Sequence, residues 1–139
     1  MAEAGSLSLC IDECMGSRIA RVLRELRAPG APNIHGVGEL ELSGVSDQTL
    51  FAELHKRKFQ AMVTKDSAIL SASIRREAWE GTELVLFVLH GSWGNLPLFD
   101  QARRLLWWWP AIFQTATEAV GPAAWTVRRD MNGSLERKF

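Results

Sequence analysis

The sequence predicts an α/β domain built on a mainly parallel sheet and closed by a C-terminal β-hairpin. Three observations carry this. Short apolar, strand-like runs alternate with amphipathic helical patterns, the sign of strands joined by crossover helices. One run, Leu84 to Leu89, "LVLFVL", is apolar at every position, as in a central strand covered on both faces. Near the end, Asn132-Gly133 lies between two strand-like segments and signals a tight reversal. The 139 residues fit one domain, with a core over about 7–120 and the hairpin over about 122–139.

The elements follow in order. Residues 1 to about 6 read as a loose leader. Leu7 to Asp12, "LSLCID", is a buried strand ending in an acid. Ser17 is placed to cap the next helix, in which Ile19, Val22, Leu23 and Leu26 form one apolar face. Arg18, Arg21, Arg24 and Arg27 spread over the rest of that helix, and Ala28-Pro29-Gly30-Ala31-Pro32 stops it. Residues 33 to 46 carry three glycines and read as a short strand and a loop. Ser46 is the expected N-cap of a helix over 47–58, with Leu50, Phe51 and Leu54 inward. Phe59 to Thr64 is a second strand, again followed by an acid, Asp66, and Ser67 is placed to cap a helix reaching about Trp79. After "LVLFVL", a loop containing Trp93 and Asn95 leads to a helix over about 98–120. Pro110 is expected to kink or interrupt that helix, and Gly121-Pro122 to end it.

Composition excludes several classes. Hydrophobic residues make up 47% and charged residues 23%, which are ordinary globular values. Lys and Arg number 16 and so do Asp and Glu, so no global basic field marks a nucleic-acid binder, and a polyanion site must be a local patch. No apolar run approaches the ~18–20 residues of a membrane span. The N-terminus lacks the basic and long apolar regions of a signal peptide, so the expected location is the cytoplasm. Two cysteines without export signals suit that reducing compartment. Cys10 reads as a small buried hydrophobe and Cys14 as a turn residue. Neither has further Cys or His close in sequence to complete a metal set. His35, His55 and His90 are scattered and form no ligand spacing.

The acids carry the functional signal. Asp12 and Glu13 follow the first strand, Asp66 follows a later one, and Asp47 opens a helix. In parallel sheets the working crevice lies beyond the carboxyl ends of the strands. Clustered carboxylates repel unless something cationic neutralises them, and a hard divalent ion such as Mg²⁺ or Mn²⁺ does so with oxygen ligands. Such an ion activates water and holds a phosphate for in-line attack, so the implied chemistry is phosphodiester hydrolysis. Each acid also has a structural reading, as a cap, a helix-dipole partner or a solvated side chain.

The stretches "CIDECMGSRIARVLREL" and "ELSGVSDQTLFAELHKRKFQAMVTKDSAI" resemble the PIN-like nucleases, in the subgroup whose first strand ends in Asp-Glu. The tail from Arg103 resembles the C-terminal part of toxin-like members, similar to the VapC-type toxins of toxin–antitoxin pairs. The resemblance implies a three-layer α/β/α sandwich and a ribonuclease dependent on Mg²⁺ or Mn²⁺. Its implied partners are RNA and a cognate antitoxin. By position it assigns Asp12, Glu13, Asp47 and Asp66 as catalytic residues and metal ligands, and Thr64 as the residue that orients an acid or a water. Lys65 would assist a phosphate. This sequence departs from many members in offering no further acid after "LVLFVL", where His90-Gly91-Ser92 follows instead. Glu39 and Glu41 rank below the four named acids.

Among basic clusters, Arg75 and Arg76 are the first RNA-binding candidates, because their helix follows Asp66, and Arg18 and Arg21 come next. Trp107-Trp108-Trp109 cannot share one helix face. Trp109 is the core candidate, leaving at least one neighbour for the hairpin or a partner, which a second copy of the chain could be, with a stacking platform for single-stranded bases as the alternative. Two competing readings are a phospho-acceptor receiver domain, which would need a lysine where His90 stands, and a catalytically degenerate PIN-like module that only binds a partner.

Overall fold

The computed structural model describes residues 7–26, 33–66, 68, 69, 71 and 73–139. The leader at 1–6, the proline–glycine stop at 28–32 and the cap expected at Ser67 lie outside the described residues.

Six strands form one sheet: β1 (Ser8–Ile11), β2 (Asn33–Gly36), β3 (Ala61–Thr64), β4 (Val85–Leu89), β5 (Ala123–Val127) and β6 (Glu136–Arg137). Their spatial order is β2-β1-β3-β4-β5-β6. The first five run parallel and β6 returns antiparallel to β5, pairing Trp125 with Arg137. The terminal hairpin therefore forms, although eight residues rather than a two-residue turn join its strands; Gly133 in that connection has φ +78°.

Alternation along the strands sorts their side chains onto two faces, as the two-residue period requires. Leu9, Ile11, Val63, Phe87 and Leu89 face α1 (Ser17–Glu25) and α4 (Leu98–Glu118). Cys10, Met62, Leu86 and Val88 face α2 (Asp47–Lys56) and α3 (Ser73–Glu80). The fold is thus a three-layer α/β/α sandwich, and "LVLFVL" is buried on both sides because helices cover both.

Local details depart from expectation in instructive ways. Ser17 is the first residue of α1 rather than its cap; Gly16, at φ +85°, precedes it without a side-chain cap bond. Ser46 does cap α2, accepting the Thr49 N–H at 3.2 Å. Pro110 does not interrupt α4, which runs through it for 21 residues. Pro110 lies on the exposed side, while Leu105, Trp108, Trp109 and Ile112 bury the opposite face, so packing outweighs the one lost hydrogen bond. Trp108 is as deeply buried as Trp109, and only Trp107 is exposed, its ring edge-on to Trp108 at 4.9 Å. Trp93, expected in a loop, is fully buried there, and its Nε1 donates to the Val127 carbonyl at 3.1 Å, anchoring the loop after β4 to β5.

Among the described residues, no helix is long and apolar enough to cross a membrane.

Candidate functional site

The strand order reverses at β1. From it the chain crosses first to β2 on one side and later to β3 on the other. The resulting crevice lies beyond the carboxyl ends of β1 and β3, the place where such sheets bind ligands. Asp12 follows β1 directly, and Thr64 ends β3.

Thr64 organises the crevice. It is fully buried. Its Oγ1 donates to Asp12 Oδ2 at 2.6 Å and accepts the Asp66 backbone N–H at 3.0 Å. One hydroxyl therefore fixes an acid from each of two neighbouring strand ends. Asp12 is held further by the Glu13 N–H on Oδ1 at 2.8 Å, an N-cap for the short 3₁₀ turn Glu13–Met15. Asp66 Oδ1 accepts the Ala68 N–H at 3.1 Å.

Cys14 joins this network. Its Sγ lies 3.4 Å from Thr64 Oγ1 and 3.6 Å from Asp12 Oδ2, and it accepts the Lys65 N–H at 3.3 Å. The single Thr64 proton goes to Asp12, so the thiol donates toward Thr64 or Asp12. Burial pushes the Cys14 thiol above its ordinary value and keeps that proton on sulfur. The expectation that Cys14 is only a turn residue is thus corrected. The 3₁₀ turn folds it back against the acid two positions earlier, which strand-and-turn patterning does not reveal. Cys10 is the buried hydrophobe expected, its thiol pushed to about 12 by burial, with the Asp12 charge adding to the effect. Both cysteines are free.

Asp47 enters from the first turn of α2. Its Oδ2 accepts from Arg75 Nη1 at 3.1 Å, and the same nitrogen lies 3.5 Å from Asp66 Oδ2. Arg75 thus joins α2, α3 and the segment after β3. The Asp12 carboxyl is raised above the usual range, first by burial; bonds from Thr64, Glu13 and Cys14 oppose the rise, and the Asp47 charge adds to it.

The structure therefore links Asp12 to Asp66 through Thr64, and Asp66 to Asp47 through Arg75. Glu13 is turned aside, its Oε1 accepting the Gly44 N–H at 3.1 Å in the loop before α2. It borders a small cleft of about 220 Å³ shared with Asp12, Gly36 and Glu39. Glu39 is engaged elsewhere: Arg24 grips both its oxygens at 2.8 and 2.7 Å. That grip, followed by the Gly36 N–H, holds its carboxyl down to about 2. Lys65 contributes its backbone N–H to Cys14. Of the basic candidates, only Arg75 reaches the acids. Arg76 turns away, its guanidinium 3.3 Å from Glu80 and 3.9 Å above the Phe139 ring. Arg18 and Arg21 line a groove along α1 with Val22, Leu26 and Leu98.

Carboxylates and a hydroxyl are the donor types a hard divalent ion takes. Yet among the described residues no three His, Cys, Asp or Glu side chains stand where one ion could be held. Between Asp47 and Asp66 the cation in place is the Arg75 guanidinium. The donor chemistry suits a metal; the arrangement with Arg75 seated does not.

A family model described as a PIN-like domain matches residues 8–91. That span runs from β1 through β4 and contains every residue of the crevice, while α4 and the hairpin lie beyond it. No curated protein and no solved structure matches the chain.

Proposed function

The chain belongs to the PIN-like domain family, and on that footing we propose that it is a metal-dependent endoribonuclease, hydrolysing RNA phosphodiester bonds. The observation that carries this reading is the Thr64 hydroxyl at the end of β3, bonded to Asp12 after β1 and to the Asp66 N–H, with Arg75 joining Asp66 to Asp47 at the start of α2. PIN-like domains are generally nucleases, and acids in a strand-end crevice are what phosphodiester hydrolysis needs. Asp12, Asp47 and Asp66 are the proposed holders of Mg²⁺ or Mn²⁺, which when bound would supply water activation and phosphate neutralisation. Glu13 is the fourth proposed acid, and it would have to leave its Gly44 bond to take part. Thr64 positions Asp12, and Arg75, which touches Asp47 and Asp66, is the proposed contact for a bound phosphate together with Lys65.

We further propose, from the toxin-like features of the sequence, a VapC-type toxin acting in the cytoplasm with a cognate antitoxin as its partner. Exposed Trp107 is the feature that supports a homodimer.

The seating of Arg75 on Asp47 and Asp66 favours one competing reading, a degenerate PIN-like module that binds without cutting. Incubation of labelled single-stranded RNA with Mg²⁺ or Mn²⁺ separates the two. The nuclease reading expects internal cuts that chelation abolishes. Intact RNA with both metals would establish the binding module instead.

A further inference from the structure

The sheet ends in two edge strands, and an edge presents N–H and C=O groups that template the addition of another strand. At one edge β6 is only two residues long, and both Glu136 and Arg137 are charged, which blunts it. The other edge, β2, has neither protection. Its sequence Asn33-Ile34-His35-Gly36 carries no acid, lysine, arginine or proline. Asn33 and Val37 turn their N–H groups inward, to the Leu7 and Ile11 carbonyls. By the alternation of a strand, Ile34 and Gly36 face outward. Side chains from two other segments meet them there. Arg24 Nη1, on α1, donates to the Ile34 carbonyl at 2.9 Å. Glu39 Oε1, on the 3₁₀ turn Gly38–Leu40, accepts the Gly36 N–H at 2.9 Å. Arg24 in turn donates to both Glu39 oxygens, at 2.8 and 2.7 Å.

In a parallel ladder, one residue of an incoming strand gives its N–H to a carbonyl and its C=O to the N–H two positions on. Arg24 and Glu39 supply that donor and that acceptor, to Ile34 and Gly36. We propose that the Arg24–Glu39 pair stands in for a seventh strand and keeps the β2 edge closed to strand addition by β2 of a second copy of this chain. An antiparallel newcomer needs the same two groups, and two copies of one edge meet antiparallel about a two-fold axis, each offering the other what it lacks. The pair is bidentate, the geometry that holds a guanidinium and a carboxylate most firmly. The Arg24 bonds, followed by the Gly36 N–H, hold the Glu39 carboxyl down to about 2, so the pair stays charged at any physiological pH. A strand adding here would have to break both backbone contacts of a charged pair. The uncharged edge thus borrows from α1 and the following turn the charges that edge strands usually carry themselves.

The test compares wild type with the double variant Arg24→Ala/Glu39→Ala, and with Arg128→Ala/Asp130→Ala, which removes an exposed ion pair away from β2. Each double variant loses one charge of each sign, so the net charge stays at zero and cannot itself drive association. Light scattering across a dilution series gives the mass, and hydrogen exchange followed by NMR gives the protection of the Gly36 amide. The Arg24→Ala/Glu39→Ala protein is expected to reach about twice the wild-type mass when concentrated and to fall back on dilution. Its Gly36 amide should exchange about tenfold or more faster than wild type when dilute, the scale of losing one hydrogen bond to a charged group. Concentration should restore that protection, as a neighbouring strand takes the amide. The control should keep wild-type mass. A folded Arg24→Ala/Glu39→Ala protein with wild-type mass and fast Gly36 exchange at every concentration overturns the proposal. So does association that leaves Gly36 unprotected, or equal association by the control. If the double variant does not fold, Glu39→Ala, which frees only the Gly36 N–H, undergoes the same two measurements, and the same results overturn the proposal.

Discussion

Thr64→Val removes one hydroxyl from the centre of the crevice at nearly constant volume. Two bonds go with it: the 2.6 Å donation to Asp12 and the 3.0 Å acceptance from the Asp66 N–H. A buried donor left unsatisfied costs about 1–3 kcal/mol. The loss at Asp12 is smaller, because that carboxylate is only half-buried and keeps the Glu13 N–H. The net expectation is a loss of about 2 kcal/mol. With about 2.1 cal/mol/K of unfolding entropy per residue, 139 residues make this a fall of about 7 °C in Tm. Activity should respond in a separate way. The Thr64 bond opposes the upward push of burial on Asp12, so its removal raises the Asp12 carboxyl further. The acid limb of the pH–rate profile should then move to higher pH. Thermal melts and pH–rate curves for Thr64→Val and Thr64→Ser measure both effects. Serine keeps the hydroxyl and should restore most of each. A valine variant within ~1 °C of wild type, or a serine variant as damaged as valine, would refute the role given to this hydroxyl.

Asp12→Asn should raise stability at pH 7 by about 0.5–2 kcal/mol, the usual trade at a site kept for function. The folded Asp12 carboxyl is raised, so its stabilising contribution is full below the unfolded value near ~3.9 and is lost as pH rises through the folded value. The advantage of Asn should accordingly vanish below about pH 4 in melts taken across pH; a variant less stable than wild type at pH 7 contradicts the burial cost. Cys10 should be sluggish, since it is fully buried and burial pushes its thiol up to about 12. In native protein at pH 8 it should alkylate at least about tenfold more slowly than in urea-unfolded protein, and a fast-reacting Cys10 would contradict that burial. Replacing both cysteines with serine should leave Mn²⁺ binding largely intact, because serine reproduces the donor and acceptor at position 14; lost binding with the fold preserved would make sulfur a ligand.

Much of the framework was legible from local pattern. The apolar runs "LSLCI" and "LVLFVL" report strands because a sheet covered on both faces buries nearly every residue, and Ser46 reports its helix because only a few side chains cap well. The acids at strand ends were legible for the same reason: strand boundaries are local, and parallel topology brings carboxyl ends together. What escaped depends on distant partners. Nothing near Arg75 in sequence tells that it reaches Asp47, 28 positions away. Cys14 looks like turn filling until Thr64, 50 positions away, closes against it. Trp93 sits among turn residues, and only the Val127 carbonyl makes it an anchor. Pro110 misleads in the opposite sense, because its local penalty is outweighed by the core packing of Trp108 and Trp109 on the opposite face of the same helix.

The central claim is that Asp12, Asp47 and Asp66 act together on an RNA phosphodiester. It is tested most directly by single-turnover cleavage of labelled RNA in Mn²⁺, comparing Asp12→Asn, Asp47→Asn and Asp66→Asn with Asp100→Asn, an acid on α4 paired with Arg103 away from the crevice. A loss of about a hundredfold or more is expected for each crevice variant, the scale of removing one stabiliser of transition-state charge, with near-wild-type cleavage for Asp100→Asn. Crevice variants that cut like wild type, or a wild type that does not cut RNA at all, would contradict it.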